Sequence, residues 1–148
     1  MFKIIVVGLD GSEASEAALR VACDISSKYG SQIHLVHTPQ PQTVAFAMGA
    51  VAGYHAVTTM PSDEEVQQAA DKIISAGKEI AKEYNQTVSQ THTQRGDPVD
   101  EIIACAEQCK ADLIVTGRRG LGSIGSLIQG STSQGISRNA TCAVLTVA

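Results

Sequence analysis

The sequence predicts an α/β fold, a single domain in which helices cover both faces of a parallel β-sheet. Short apolar runs rich in β-branched residues alternate with segments of helical periodicity, giving the order β-α-β-α-β-α-β-α-β. The strands read as apolar on both faces, which fits a sheet buried between two helical layers with right-handed crossovers. The chain has 148 residues, a length that suits one domain burying roughly 68–70% of its unfolded surface. In such sheets a ligand sits beyond the carboxyl ends of the strands, where the strand order reverses.

Phe2 to Leu9 is a continuous apolar run, and Asp10-Gly11-Ser12 closes it with turn and capping residue types, so it reads as a first, buried strand. Ala14, Ala17, Ala18, Val21, Ala22 and Ile25 then recur at helical spacing up to Gly30, a C-cap type. Ile33 to Thr38 is a second strand, stopped by Pro39-Gln40-Pro41. Ser62-x-x-Glu65, behind Pro61, is a capping box. The helix it opens has an apolar face of Val66, Ala69, Ala70, Ile73, Ile74, Gly77, Ile80, Ala81 and Tyr84. Thr87 to Gln94 is polar but rich in Thr and Val, a pattern for a strand at a sheet edge. Arg95-Gly96-Asp97-Pro98 restarts a helix with Asp97 at N-cap and Pro98 at N1; Val99, Ile102, Ile103, Ala106 and Cys109 are its inner face. Leu113 to Thr116 is a fourth strand, residues 130 to 139 a fourth helix, and Ala143 to Val147 a fifth strand. The segment from Pro39 to Pro61 is the irregular part and reads as a loop or short helix packing on the domain or on a partner subunit.

Composition removes several function classes. With 15 acidic and 11 basic residues, a net charge of −4, 3% aromatic residues and no Trp, the chain lacks the basic excess and stacking aromatics of single-stranded nucleic-acid binders, and nucleic acid is not an expected partner. Charge is unevenly placed, however. Residues 113–148 hold three arginines and no carboxylate, a local +3 that leaves −7 on residues 1–112, so the C-terminal quarter is the natural place for an anion. The apolar stretch between Pro39 and Pro61 is shorter than the about 20 residues that span a bilayer, so no membrane partner is expected. Met1-Phe2-Lys3 runs straight into the first strand with no small-residue cleavage site, and the expected location is the cytoplasm. Cys23, Cys105, Cys109 and Cys142 read as reduced thiols; Cys105 and Cys109 stand at i and i+4 without a second close pair to complete a zinc set. His34 and His37, three apart in a strand, point to opposite faces and cannot share a metal, while His55 and His92 have no readable partner.

The informative stretch runs from Thr116 to Ser133. It leaves a strand and ends at a helix start, where free backbone N–H groups, the helix dipole and hydroxyls can together hold phosphate. Gly120-Leu121-Gly122-Ser123-Ile124-Gly125 formally matches the dinucleotide fingerprint G-x-G-x-x-G. That reading needs an acidic residue about 20 positions later, and no Asp or Glu follows Asp112. Neither a Walker loop nor a G-x-S-x-G nucleophile elbow occurs.

Gly117-x2-Gly120-x9-Gly130-Ser131 resembles, at full spacing, the nucleotide-binding signature G-x2-G-x9-G-[ST] of the universal stress protein family. The resemblance covers the chain. Ile5-Val6-Val7-Gly8-Leu9-Asp10-Gly11-Ser12 is similar to the family's first strand and turn, Leu113-Ile114-Val115-Thr116-Gly117 to its fourth strand, and Thr141 to Val147 to its ending, with Ala143 in place of the usual Pro.

The resemblance implies a Rossmann-like five-stranded parallel sheet in the order 3-2-1-4-5, with ATP, or ADP or AMP, across the ends of strands 1 and 4. It implies that Gly8 and Leu9 line the nucleotide, that Asp10 lies near the ribose and the metal-phosphate region and ligates Mg2+ or Mn2+, and that the Thr38 backbone meets adenine. Thr116, Gly117, Arg119 and Gly120 match the phosphate and ribose loop, and Gly130, Ser131, Thr132 and Ser133 the helix N-terminus that binds phosphate. From spacing alone Asp10 is equally an N-cap, and at least one of Arg118 and Arg119 is expected to touch phosphate because the loop is otherwise uncharged. The function implied is that of an ATP-binding stress protein sensing or signalling nucleotide state to a protein partner whose identity the sequence does not carry. No catalytic residue is assigned; the alternatives are slow ATP hydrolysis or nucleotidyl transfer, and a partner-binding module without nucleotide. The implied order leaves strand 5 at an edge with neither charge nor Pro, so a homodimer by antiparallel pairing of Ala143 to Val147 is expected, unless the Pro39 to Pro61 segment covers that edge.

Overall fold

The N-terminal apolar run forms β1 (Ile4–Gly8), in which Ile5, Val6 and Val7 are fully buried. The computed structural model describes residues 1–48, 60–120 and 130–148. After β1 come α1 (Glu13–Tyr29), β2 (Gln32–His37), α2 (Pro41–Ala47), α3 (Asp63–Glu83), β3 (Val88–Thr93), α4 (Pro98–Cys109), β4 (Leu113–Gly117), α5 (Ser131–Asn139) and β5 (Ala143–Val147). The strands form one parallel sheet in the order β3-β2-β1-β4-β5, as the resemblance implies. The order reverses beside β1, between β1 and β4, and that is where a crevice must open.

Alternation along the strands makes two cores. Ile5, Val7, Ile33, Leu35, Leu113 and Val115 face α1 and α3, meeting Ala18, Leu19, Ala22, Cys23, Ile73, Ile80 and Ala81. Val6, Val36 and Ile114 face α4 and α5, meeting Ile102, Cys105, Ala106 and Ile136. β3 is exposed except at the half-buried Val88 and His92, as its polar sequence leads one to expect of an edge.

The caps form where the sequence places them. Gly30 ends α1 at φ 66°, a left-handed conformation that costs glycine nothing. Ser62 and Glu65 form both halves of the capping box. Asp97 Oδ1 accepts from Val99 N (2.9 Å) and Asp100 N (3.2 Å).

One expectation needs correction. The buried face of α1 is Ser15, Ala18, Leu19, Ala22, Cys23 and Ser26; Ala18 and Ala22 of the expected stripe are in it, while Ala14, Ala17, Val21 and Ile25 lie half-buried beside it. Two serines disguise it, and both are satisfied: Ser15 Oγ donates to Ser12 O at 2.9 Å, and Ser26 Oγ lies 2.8 Å from Ser31 O and 2.7 Å from Gln86 Oε1. A buried hydroxyl with such partners costs little. The Pro39 to Pro61 segment opens, as expected, with a short helix on the domain, α2, whose Val44 is 4% exposed. α2 packs on α3 rather than over β5, and Lys72 Nζ donates to its last carbonyl, Ala47 O. Residues 49–59, including His55, lie outside the described residues.

Candidate functional site

A cleft of about 580 Å³ lies beyond the carboxyl ends of β1, β2 and β4, bounded by the N-termini of α4 and α5. All twelve residues expected to bind nucleotide line it: Gly8, Leu9, Asp10, Thr38, Thr116, Gly117, Arg119, Gly120, Gly130, Ser131, Thr132 and Ser133.

The floor is the end of β1. A Cβ on Gly8 would stand 2.8 Å from Ile102 Cδ1, so glycine here lets α4 close over the strand. Leu9 turns its side chain into the core and leaves its backbone on the cleft. Leu9 N donates to Val36 O (2.8 Å), and Leu9 O accepts from His37 Nδ1 (2.8 Å), which fixes the proton on that nitrogen. Burial pushes the His37 pKa down, against the opposing pull of Leu9 O and Asp10.

Asp10 does not cap α1. Its Oδ1 accepts from Ser12 N (2.9 Å), and Ser12 is the N-cap, its Oγ accepting from Ser15 N (3.2 Å). The N-cap reading of Asp10 is thus overturned by the Gly11 turn (φ 85°), which carries the chain two residues further before the helix begins. The Asp10 carboxylate stands against Gly120, where a Cβ would collide with it.

The phosphate-type loop is pinned at its two ends. Arg118 N donates to Val147 O (2.6 Å), and Arg118 O accepts from Gly130 N (2.6 Å). Ser133 Oγ lies 3.0 Å from both Arg118 O and Gly130 O, so its one proton is spent inside the protein. Ser133, 2% exposed, therefore braces the loop. Gly117 meets α1: a Cβ there would stand 2.7 Å from the Ala14 carbonyl carbon. Residues 121–129, with Gly122 and Gly125, lie outside the described residues. α5 starts at Gly130 with no side-chain cap, which leaves first-turn N–H groups turned toward the cleft beside the exposed Arg118 and Arg119.

Thr38 (7% exposed) and Thr116 (4% exposed) line the cleft with buried Oγ1 atoms that have no hydrogen-bond partner among the described residues. Sequence reasoning missed further wall residues: Val36, Ile102, Pro98, Val99, Gln40 and Asp97. The start of α4 was readable as a second helix N-terminus at this end of the sheet; Gln40 and Ile102 carried no signal. His92, for which no partner is readable in the sequence, stacks on His34 across β2 and β3, ring centroids 5.8 Å apart.

A cleft of this build at the switch point, with a glycine loop tied to an uncapped helix start, can hold a phosphorylated ligand whose apolar part lies on Val36, Val99 and Ile102. A family model described as the universal stress protein family matches residues 1–148. The chain belongs to the universal stress protein family. Within it, the chain is 33% identical over 148 residues to a universal stress protein of Thermus aquaticus, covering 99% of both chains. It is 30% identical over 150 residues to the universal stress protein YxiE of Bacillus subtilis, again covering 99% of both. A crystal structure of a universal stress protein in complex with cAMP superposes with a TM-score of 0.71 at 25% identity, covering 99% of this chain and 97% of that one.

Proposed function

We propose that this universal stress protein binds an adenine nucleotide, ATP foremost, in the switch-point cleft, and that it does so as a cytoplasmic homodimer signalling nucleotide state to a protein partner. The observation that carries this reading is the joining of Gly117–Gly120 to the uncapped start of α5 through Arg118 O, Gly130 N and Ser133 Oγ. That stitching holds the strand end and the helix start together before an anion arrives. The family relative solved with cAMP supports an adenine ligand.

Asp10, Thr38, Thr116, Arg119, Ser131 and Thr132 are the side chains proposed to meet the nucleotide, alongside the glycine backbone. No group of three or more His, Cys, Asp or Glu side chains suited to a metal occurs among the described residues. A magnesium or manganese ion would thus be held by Asp10 together with phosphate oxygens, which suits a cation that keeps its own waters and uses few protein ligands. Binding rather than turnover is proposed: both cleft carboxylates, Asp10 and Asp97, already hold backbone N–H groups as a turn and a cap.

The test is mass spectrometry of nucleotide released from protein purified without added ligand, with calorimetric titration of ATP. Gly130 has an ordinary extended backbone (φ −68°, ψ 155°), so Gly130→Val should fold while placing a branched side chain at the helix start. Its affinity should fall at least about tenfold, the loss of one hydrogen bond to a charged group. A folded variant that binds as well as wild type would remove the site.

A further inference from the structure

We propose that Asp97 selects the base: the carboxylate oxygen not used in capping accepts a hydrogen bond from the 6-amino group of the purine, so that 6-aminopurine nucleotides are favoured over 6-oxopurine ones. The inference rests on the nucleotide reading above and adds the residue that discriminates.

The cleft has two unlike ends. Arg118 and Arg119 follow β4 beside the uncapped α5 start, whereas Val36 and Thr38 belong to the end of β2 and Asp97 opens α4; Val99 and Ile102 of α4 lie between, Val99 against α5 and Ile102 against β1. Phosphates belong at the first end, where two arginines and an uncapped helix start attract them, and the apolar residues beyond it suit a flat base. Asp97 uses only Oδ1 to cap α4, accepting from Val99 N and Asp100 N, and no bond to Oδ2 occurs among the described residues. The rim is tied down next to it: Gln40 Nε2 donates to Gly96 O at 2.9 Å, joining the chain after β2 to the residue before Asp97. A second group there is independently unmatched, since Thr38 Oγ1 is buried with no hydrogen-bond partner among the described residues.

The two unmatched groups differ in what they can read. A hydroxyl both donates and accepts, so Thr38 tolerates either kind of base edge, whereas a carboxylate only accepts. Opposite Oδ2 an exocyclic amino group makes a charge-assisted bond, and a carbonyl at the same ring position sets acceptor against acceptor. Discrimination therefore resides in Asp97.

Calorimetric titration of AMP and IMP into wild type, Asp97→Asn and Asp97→Ser separates the possibilities. Asn and Ser both keep the N-cap; Asn also puts an NH2 where Oδ2 stood. Wild type should prefer AMP by about tenfold, the scale of a hydrogen bond to a charged group. Asp97→Asn should lose or invert that preference, and Asp97→Ser should bring the ratio near unity. If both folded variants keep the wild-type ratio while binding AMP, the assignment of Asp97 is overturned and the nucleotide site stands. If wild type binds neither AMP, IMP nor ATP, the nucleotide reading fails and this inference falls with it.

Discussion

Six buried polar atoms in the described residues have no protein partner, and they fall into two groups. Thr38 Oγ1 and Thr116 Oγ1 line the cleft, where a ligand can satisfy them. The others are imidazole nitrogens: both of His34, and Nε2 of His37 and His92. Leaving a buried donor or acceptor unmade costs about 1–3 kcal/mol, and protonation would add charge to the same dry places. Burial, then the proximity of His92, holds the His34 pKa below the ordinary histidine value, and burial does the same at His37. The unfolded chain therefore takes up these protons first. Stability from both histidines is present in full above about pH 6.5 and is lost as pH falls from there toward the lowered folded values, by at most about 1.4 kcal/mol per pH unit for each. His34→Leu should flatten this slope, with the remainder due to His37, in urea titrations between about pH 7.5 and 5. An unchanged slope would place the acid sensitivity elsewhere.

Among the elements, α3 shows how local preference and packing compete. Gly77 sits inside the helix, where Ala would gain about 1 kcal/mol of intrinsic helix propensity. Its Cβ, however, would stand 2.7 Å from Leu9 Cδ1, 3.1 Å from Leu35 Cδ1 and 3.5 Å from Leu19 Cδ2. Three leucines buried in one core cannot all retreat, and overpacking of this kind costs about 1–3 kcal/mol. Packing should win, so Gly77→Ala is expected to destabilise by up to about 2 kcal/mol in chemical denaturation, against the propensity scale. A stabilised variant would mean that the leucine ends rearrange freely. The packing of α3 on β2 and on Leu9 beyond the end of β1 thus depends on a residue that helix propensity alone disfavours.

For the whole molecule, the two sheet edges are unlike. β3 reads Val-Ser-Gln-Thr-His-Thr, and β5 reads Ala-Val-Leu-Thr-Val. Leu145 and Val147 pack partly on one core and Val144 on the other, while β5 pairs along one side only, with β4. An apolar edge without charge or Pro is a template for another strand, and antiparallel pairing with a second copy satisfies its backbone under two-fold symmetry. α2 does not compete for this edge, because it packs on α3. Wild type is expected to be a dimer, and Val144→Lys with Thr146→Lys a folded monomer, by light scattering with circular dichroism. A dimer unchanged by both lysines would move the interface away from β5.

The amino-acid sequence by itself determined the strand and helix alternation, the caps at Gly30, Ser62 and Asp97, and, through the family signature, which twelve residues share the cleft. These are signals carried within a few residues: a period of 2 or 3.6, a side chain that reaches its own helix start, a spacing of glycines. Tertiary structure decided what depends on register and crossing. It added Ser15, Leu19, Cys23 and Ser26 to Ala18 and Ala22 on the buried face of α1 and left Ala14, Ala17, Val21 and Ile25 at its margin, because α1 lies against β4 and α3. It stacked His92 on His34 through the irregular pairing of β2 with β3. It also turned Ser133 inward as a brace, and carried Ile102 and Asp97 to the cleft because Gly8 lets α4 lie close over β1. Residues far apart in the chain become neighbours only when the strands pair, and no local pattern records that distance.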